Sequence, residues 1–101
     1  MILAAVAAEP LHGYAIMQKV GELSAGRVRI RAGTLYAALG RLVDEGLLEA
    51  EGEELVEGRR RRYYRITGAG VTELRREMDR LESNLLTIRT QLSRHASPEP
   101  T

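Results

Sequence analysis

The chain of 101 residues carries 15 basic and 14 acidic side chains, a formal net charge of +1, and 44% hydrophobic residues, which is ordinary for a globular domain. It contains no cysteine, which excludes disulfide frameworks, thiolate zinc sites and cysteine nucleophiles. No apolar run approaches about 18 residues, and no basic flank precedes the first apolar stretch, so we expect neither a membrane-spanning helix nor a signal peptide. The length allows one domain, or one small core with an appendage.

Acidic and basic residues cluster in separate segments of the chain, although the net charge is only +1. Seven acidic residues and no basic one lie between Asp44 and Glu57. Five arginines and two tyrosines follow at positions 59–65, and positions 27–31 hold another three arginines. Because the planar guanidinium group suits contacts with phosphate and guanine, the two arginine clusters are candidates for contact with nucleic acid.

The hydrophobic spacing of the first half predicts three helices. Leu35, Leu39 and Leu42 recur at helical spacing in the third of them, and Gly46 follows as a typical C-terminal cap residue. The predicted elements are two helical turns that contain Ile2, Leu3 and Val6 and stop at Glu9-Pro10, a helix from His12 to Leu23, a short extended piece from Arg27 to Ile30, and a helix from Thr34 to Glu45.

The second half predicts a β-hairpin followed by one long helix. Thr67 is a good N-cap for that helix, which we expect to end at about His95. The predicted strands are Leu47–Glu51 and Arg62–Ile66, joined by an acidic, glycine-flanked tip from Gly52 to Gly58. The predicted fold class is therefore mainly α with a small β-hairpin, namely a winged helix-turn-helix plus a long C-terminal coiled-coil-like helix. We predict a winged domain at residues 1–66, a dimerisation helix at 67–95 and a disordered tail at 96–101.

Several dispersed motifs resemble those of the PadR family of bacterial transcription regulators. They are Leu11-His12-Gly13-Tyr14, Gly33-Thr34-Leu35-Tyr36, Leu39 with Arg41-Leu42, Glu45-Gly46-Leu47, and Gly58-Arg59 through Tyr63-Tyr64-Arg65-Ile66-Thr67 to Gly70. The sequence departs from the family pattern at Arg31 and Ala32, where serine and proline are usual, and at Ala37, where proline is frequent. The resemblance implies a cytoplasmic, homodimeric transcription regulator that binds double-stranded DNA, most often as a repressor on a palindromic operator.

The helix predicted from Thr34 carries its leucines on one face and small residues on the opposite face. A helix that enters the major groove needs small side chains near the bases and a few long polar ones to read them. Its N-terminal N–H groups also favour a phosphate. For Tyr36 the alternative is packing against the preceding helix, and for Arg41 it is an ordinary solvated arginine. The predicted DNA contacts on this helix are Arg31, Gly33, Thr34, Tyr36, Ala37 and Arg41.

The arginines of the hairpin are the second set of predicted DNA contacts. Alternate residues of a strand face opposite sides, so several of these arginines stay exposed whichever side packs on the core. A wing of this kind lies along the minor groove or the phosphate ridge, where arginine is favoured. Alternatively, Glu49, Glu51 and Glu53 pair with them across the ladder, although exposed pairs contribute only about 0–1 kcal/mol. We predict phosphate contacts first from Arg59 and Arg61, then from Arg60 and Arg62.

An apolar stripe runs along the last helix with the 3-4 spacing of a coiled coil over three heptads. A helix of about 25 residues is roughly 40 Å long, more than so small a domain can cover. We therefore predict that the outer half packs on a second copy, the alternative being a fold back onto the same chain. The predicted dimer interface comprises Val71, Leu74, Met78, Leu81, Leu85, Ile88 and Leu92.

The resemblance also implies a small apolar or aromatic effector, bound where the two long helices and the first helices meet. Met78, Leu81, Leu85 and Ile88 offer an apolar lining there, or they serve the dimer interface alone.

The two histidines, His12 and His95, have no carboxylate partners at metal-ligand spacing, and no phosphate-loop or hydrolase motif occurs. We thus expect no enzyme, no metal and no cofactor, and His12 is expected to cap or pack. A different class of function remains as the alternative, in which the winged-helix dimer binds mainly proteins; the acidic hairpin tip and Asp44 favour it.

Overall fold

The computed structural model describes residues 1–96, and the molecule is elongated, with extents of 71 × 27 × 21 Å. These residues form four α-helices and three β-strands. Of the predicted tail, Ala96 belongs to the last helix, and residues 97–101 lie outside the described residues. The elements in chain order are α1 (Ile2–Ala5), β1 (Leu11–His12), α2 (Gly13–Leu23), α3 (Ala32–Asp44), β2 (Leu48–Val56), β3 (Arg59–Ile66) and α4 (Gly68–Ala96).

The helices agree closely with the sequence prediction, apart from their ends. α1 is a single turn because the chain leaves the helical conformation at Val6. His12 lies outside α2 and caps it, since its Nδ1 accepts a hydrogen bond from the Ala15 N–H at 3.2 Å, which confirms the predicted capping role. The predicted extended piece at residues 27–30 forms no strand among the described residues.

The sheet is antiparallel with the order β1-β3-β2, and it corrects the predicted hairpin in two ways. The acidic segment from Gly52 to Gly58 is not a loop, because β2 continues to Val56 and only Glu57 and Gly58 form the turn. Both turn residues have positive φ (52° and 79°), as a two-residue hairpin requires. β1, which the sequence did not predict, pairs Leu11 with Tyr64 and His12 with Tyr63.

A small core joins α1, α2, α3 and the base of the hairpin. It includes Ile16 and Val20 of α2, Leu35 and Leu39 of α3, and Leu48 of β2, all at most 2% exposed. Burying each of these aliphatic side chains contributes about 1.5–3 kcal/mol. Three helices with a hairpin that projects from the base of the core, followed by a long last helix, constitute a winged helix-turn-helix fold.

The turn after α3 also holds the start of α4. Gly46 has φ +75°, and the N–H of Leu47 donates to the Leu42 carbonyl at 2.9 Å, which is the glycine-dependent cap that the sequence predicted. The Thr67 hydroxyl donates to the Gly46 carbonyl at 2.6 Å and accepts from the Gly70 N–H at 3.0 Å, which confirms Thr67 as the N-cap of α4. The C-terminus of α3 and the N-terminus of α4 are therefore joined at one turn.

Candidate nucleic-acid interface

The outer face of α3 is exposed and lined with small residues. Gly33, Thr34, Ala37 and Gly40 are all exposed, whereas Leu35 and Leu39 on the opposite face are buried. Nothing lies within 4 Å of the Cβ that a side chain would add at Gly33 or Gly40. This face therefore lets another surface approach the helix backbone closely, as the floor of a DNA major groove would.

The N-terminus of α3 adds donors at one end of this face. Arg31 is the N-cap, its side chain makes no capping hydrogen bond, and it is exposed like the residues that follow it. The first N–H groups of a helix have no partner within the helix, and the helix dipole makes this end electropositive. Arg31, Gly33 and Thr34 thus surround a position that suits an anion such as a phosphate.

Tyr36 lies on one flank of the face and contacts α2. A Cβ built on Gly13 would lie 2.6 Å from the Tyr36 Oη, so the ring lies directly over this glycine. The alternative that Tyr36 packs against the preceding helix is therefore confirmed. The residue as a whole is nevertheless 48% exposed, so Tyr36 is still accessible on the surface beside α3.

Arg41 lies on the other flank, on the side of α4. It is exposed and lines a cavity of about 530 Å³ between α1, α3 and α4, together with Glu73 and Glu77 of α4. Among the described residues Arg41 makes no ion pair. Its guanidinium group is therefore available at the edge of the α3 face rather than at its centre.

The arginines of the wing fall into paired and unpaired groups. Glu53 lies 3.7 Å from Arg60 and 3.8 Å from Arg62, and Glu49 lies 2.5 Å from Arg65, so the alternative of cross-strand pairing holds for these arginines. The pairs are exposed, and each contributes at most about 1 kcal/mol. Arg59, beside the turn, makes no ion pair with any described residue and is exposed. A DNA phosphate that binds Arg59 would therefore displace no carboxylate of the described residues.

Arg61 has a contact that sequence reasoning missed. Its Cζ lies 5.8 Å from the centre of the Tyr14 ring at the start of α2, and its Nε is buried without a hydrogen-bond partner among the described residues. Tyr63, two residues on, meets His12 edge to face with the ring centres 5.4 Å apart. One face of β3 is thus packed on the start of α2, which fixes where the wing projects. The motif that contains Tyr14 was visible in the sequence, but no local pattern shows that the wing would reach it.

We expect Tyr14→Leu to loosen the wing, because it removes the aromatic face beneath Arg61. A cation–π contact at an exposed site contributes about 0.5–1 kcal/mol, so backbone amides of β3 near Arg61 should exchange with deuterium about two- to fivefold faster. Tyr14→Phe keeps the ring and serves as the control, for which we expect near-native exchange. Equal protection in wild type and Tyr14→Leu would show that the contact does not hold the wing.

The predicted dimer stripe of α4 is accessible along its length. Val71, Met78, Leu81, Leu85, Ile88 and Leu92 are 37% to 62% exposed, and Leu74 is half-buried against the winged domain. The alternative that α4 folds back on its own chain does not apply to the described residues, since α4 is one continuous helix. Such a continuous apolar surface on a monomer marks an interaction site.

Two other kinds of feature were sought in the described chain, a metal site and a membrane-spanning helix. No three histidine or carboxylate side chains of residues 1–96 come together in a way that could hold a metal ion. None of the helices in this part of the chain is long and apolar enough to cross a membrane.

Comparison with known proteins shows the family of this chain. The family model described as "Transcriptional regulator PadR-like family" matches residues 2–76. Transcriptional regulator Rv3488 from Mycobacterium tuberculosis is 42% identical over 88 residues, which cover 84% of this chain and 78% of that protein. A PadR family transcription regulator from Clostridium difficile has a similar structure, with a TM-score of 0.76 and 25% identity, covering 90% of this chain and 93% of that one.

The structure of Bacillus subtilis PadR in complex with operator DNA is similar as well, with a TM-score of 0.67 and 23% identity over 76% of this chain and 42% of that one. At this identity the likeness concerns the fold alone. The family model covers three quarters of the chain, including the winged domain and the start of α4. The chain belongs to the PadR-like family of transcriptional regulators, which are not enzymes.

Proposed function

We propose that this protein is a sequence-specific repressor that binds a palindromic operator as a homodimer in the cytoplasm. The observation that carries the proposal is the exposed face of α3, with small residues at its centre and Arg31, Tyr36 and Arg41 at its edges. In this proposal residues 1–66 form the DNA-binding domain, residues 67–95 form the dimerisation helix, and Arg59 to Arg62 add the wing contacts. Bacillus subtilis PadR, which shares the fold, has been solved with its operator DNA.

The two contact surfaces have different roles in this proposal. Arg41, on the flank of α3, reads base edges or an adjacent phosphate, whereas the wing arginines bind phosphates and so position the protein without reading sequence. Arg60 and Arg62 would exchange Glu53 for phosphate on binding, which costs little because the pairs are exposed. Two-fold symmetry places two such surfaces on half-sites about one DNA turn apart, or a multiple of it.

A small apolar or aromatic effector that releases the DNA is part of the proposal. A cavity of about 660 Å³ is lined by Ala7, after α1, and by apolar residues of α4 that include Val71 and Met78. Its place between the residue after α1 and the apolar face of α4 supports this part of the proposal. An effector acts only if it binds one arrangement of the two copies more tightly than the other.

The test is selection of bound sequences from random duplex DNA, followed by affinity measurements at several salt concentrations. We expect a palindromic consensus and a log–log salt slope of several units. No enriched sequence together with a slope near zero would reject the repressor. That result would favour instead a winged-helix module that binds proteins, for which Asp44 on the exposed side of α3 and the acidic wing are suited.

Two arginine variants separate the roles of the two surfaces. Arg59→Ala should weaken binding to all sequences alike and reduce the salt slope by about two units, because each copy in the dimer loses about one phosphate contact. Arg41→Ala should relax base preference, at a cost of about 1–3 kcal/mol per half-site. Arg94→Ala, in the last turn of α4, removes the same charge far from both surfaces and is the control. If Arg41→Ala and Arg59→Ala both bind like the control, the DNA-binding face has been placed wrongly.

A further inference from the structure

Two arginines in the turn between α2 and α3 lie outside the proposed DNA-binding face. Arg31 begins that face as the N-cap of α3, whereas Arg27 and Arg29 precede it in the turn. Both are exposed, and neither makes an ion pair with any described residue. The turn therefore carries two cations that have no anionic partner within residues 1–96.

No acidic residue accompanies these arginines in the neighbouring sequence. Residues 23–43 contain four arginines and neither aspartate nor glutamate. The wing differs, because Glu53 lies 3.7 Å from Arg60 and 3.8 Å from Arg62. A phosphate that binds the wing at this point must displace a carboxylate, whereas a phosphate that binds the turn displaces only water and mobile ions. The positive charge of the turn is thus uncompensated within the described chain, unlike that of Arg60 and Arg62.

The turn presents its arginines on one side of the backbone. Val28 and Ile30, which alternate with them, line the cavity of about 530 Å³ between α1, α3 and α4. The arginines do not line this cavity and are exposed. Residues two positions apart in an extended chain are separated by about 6–7 Å, which is similar to the separation of successive phosphates along one DNA strand. Arg27, Arg29 and Arg31 therefore form a strip, here called the turn strip, with a repeat that suits a phosphate backbone.

Hydrogen bonds within the chain hold the backbone of this turn. Ser24 is buried, and its hydroxyl accepts from the Val28 N–H at 2.9 Å and donates to the Gly21 carbonyl at 3.3 Å. Gly26 has φ +79°, and its N–H donates to the same Gly21 carbonyl at 2.7 Å. Because the backbone is already ordered, binding at the turn strip restricts only the side chains of the arginines, which keeps the entropic cost small.

We propose that the turn strip binds phosphates of one DNA strand beyond the bases that α3 reads. This inference rests on the DNA binding proposed above and adds to it a contact surface that continues from the N-terminus of α3. Arg31 binds the phosphate at that N-terminus, and Arg29 and Arg27 bind the next phosphates along the strand. Such contacts position the protein and raise its affinity without reading sequence. Each copy in the dimer thereby gains two phosphate contacts in addition to those of α3 and the wing.

The salt dependence of operator binding tests this proposal. Arg27→Ala/Arg29→Ala should reduce the log–log salt slope by about three to four units, because the dimer loses four phosphate contacts and each contributes about 0.9. Arg27→Lys/Arg29→Lys keeps both charges and should keep nearly the full slope, whereas a loss caused by disturbance of the turn would occur in both variants. Arg80→Ala/Arg94→Ala removes two charges from α4 and is the control, for which we expect the wild-type slope.

Neutral phosphates locate the contact on the DNA. In operators that carry single methylphosphonate substitutions, the wild-type protein should lose affinity at phosphates just outside each half-site, and Arg27→Ala/Arg29→Ala should be insensitive at the same positions. A wild-type protein that is insensitive there, or a double alanine variant with the salt slope of the α4 control, would overturn the role of the turn strip. A wild-type salt slope near zero would overturn DNA binding itself, which is a separate result.

Discussion

Leu85→Glu is expected to leave the protein monomeric. Leu85 lies in the middle of the exposed stripe, and in a dimer the substitution buries a carboxylate in each copy against apolar side chains. Sedimentation velocity at micromolar concentration should therefore show one species at the mass of a single chain, with helicity of the winged domain retained in circular dichroism.

Loss of the dimer should also weaken operator binding much more than the loss of any one arginine. A dimer binds its second half-site at a high effective concentration, so an unlinked monomer should lose about 10²- to 10⁴-fold in apparent affinity. Leu86→Glu is the matched control, because Leu86 is 67% exposed and lies about 100° around the helix from Leu85. A dimer that survives Leu85→Glu, or an equal effect of both variants, would place the interface elsewhere on the molecule.

The parts of the fold that follow local rules could be predicted from the sequence. Leucines at helical spacing placed the buried face of α3, and the caps at Gly46 and Thr67 follow from a residue's own conformational freedom or side-chain hydroxyl. The exposed stripe of α4 likewise depends only on spacing within one helix. In these cases the information lies within a few residues of the feature that it determines.

The predicted strands of the wing were too short, because the outer residues of β2 and β3 form strands through pairing with each other and not through a hydrophobic alternation that the sequence would show. Seven of the nine residues of β2 are exposed, so no hydrophobic alternation marks them as a strand, and only pairing with the arginines of β3 does. β1 is similar, since two residues become a strand only because β3 lies beside them. Tyr14 and Arg61 are distant in sequence, so no local sequence pattern predicts their contact.

The DNA-binding residues were proposed from the sequence, and the structure refines how accessible each is without testing its contact with DNA. Arg59 is unpaired and exposed, whereas Arg61, ranked beside it, is held against Tyr14. The sequence could not distinguish the two, because alternation places both on the same side of a strand. The two arginines differ because the fold places Tyr14, at the start of α2, against Arg61 and not against Arg59.

Gly70→Ala is expected to destabilise the protein, although alanine is a better helix former than glycine. Gly70 is buried, and a Cβ built there would overlap the Leu47 carbonyl oxygen and lie 2.7 Å from the Ile66 Cγ1. The obstacle is backbone, which belongs to the turn that joins α3 to the start of α4, so α4 must shift to accommodate the methyl group. Overpacking of this kind costs about 1–3 kcal/mol, more than the gain of about 1 kcal/mol from helix propensity.

Gly68→Ala is the control in the same helical turn, because nothing lies within 4 Å of its added Cβ. We expect it to leave the melting temperature unchanged or slightly raised, whereas Gly70→Ala should lower it by several degrees. The shift of α4 should also displace α3 relative to the dimer helix, because the Thr67 hydroxyl hydrogen bond joins the two at Gly46. Operator affinity should therefore fall even at temperatures where Gly70→Ala is fully folded, since the two α3 helices no longer match the half-site spacing. If Gly70→Ala and Gly68→Ala have the same melting temperature and operator affinity, the close approach of Gly70 to the Leu47 carbonyl does not determine the position of α4 relative to the winged domain.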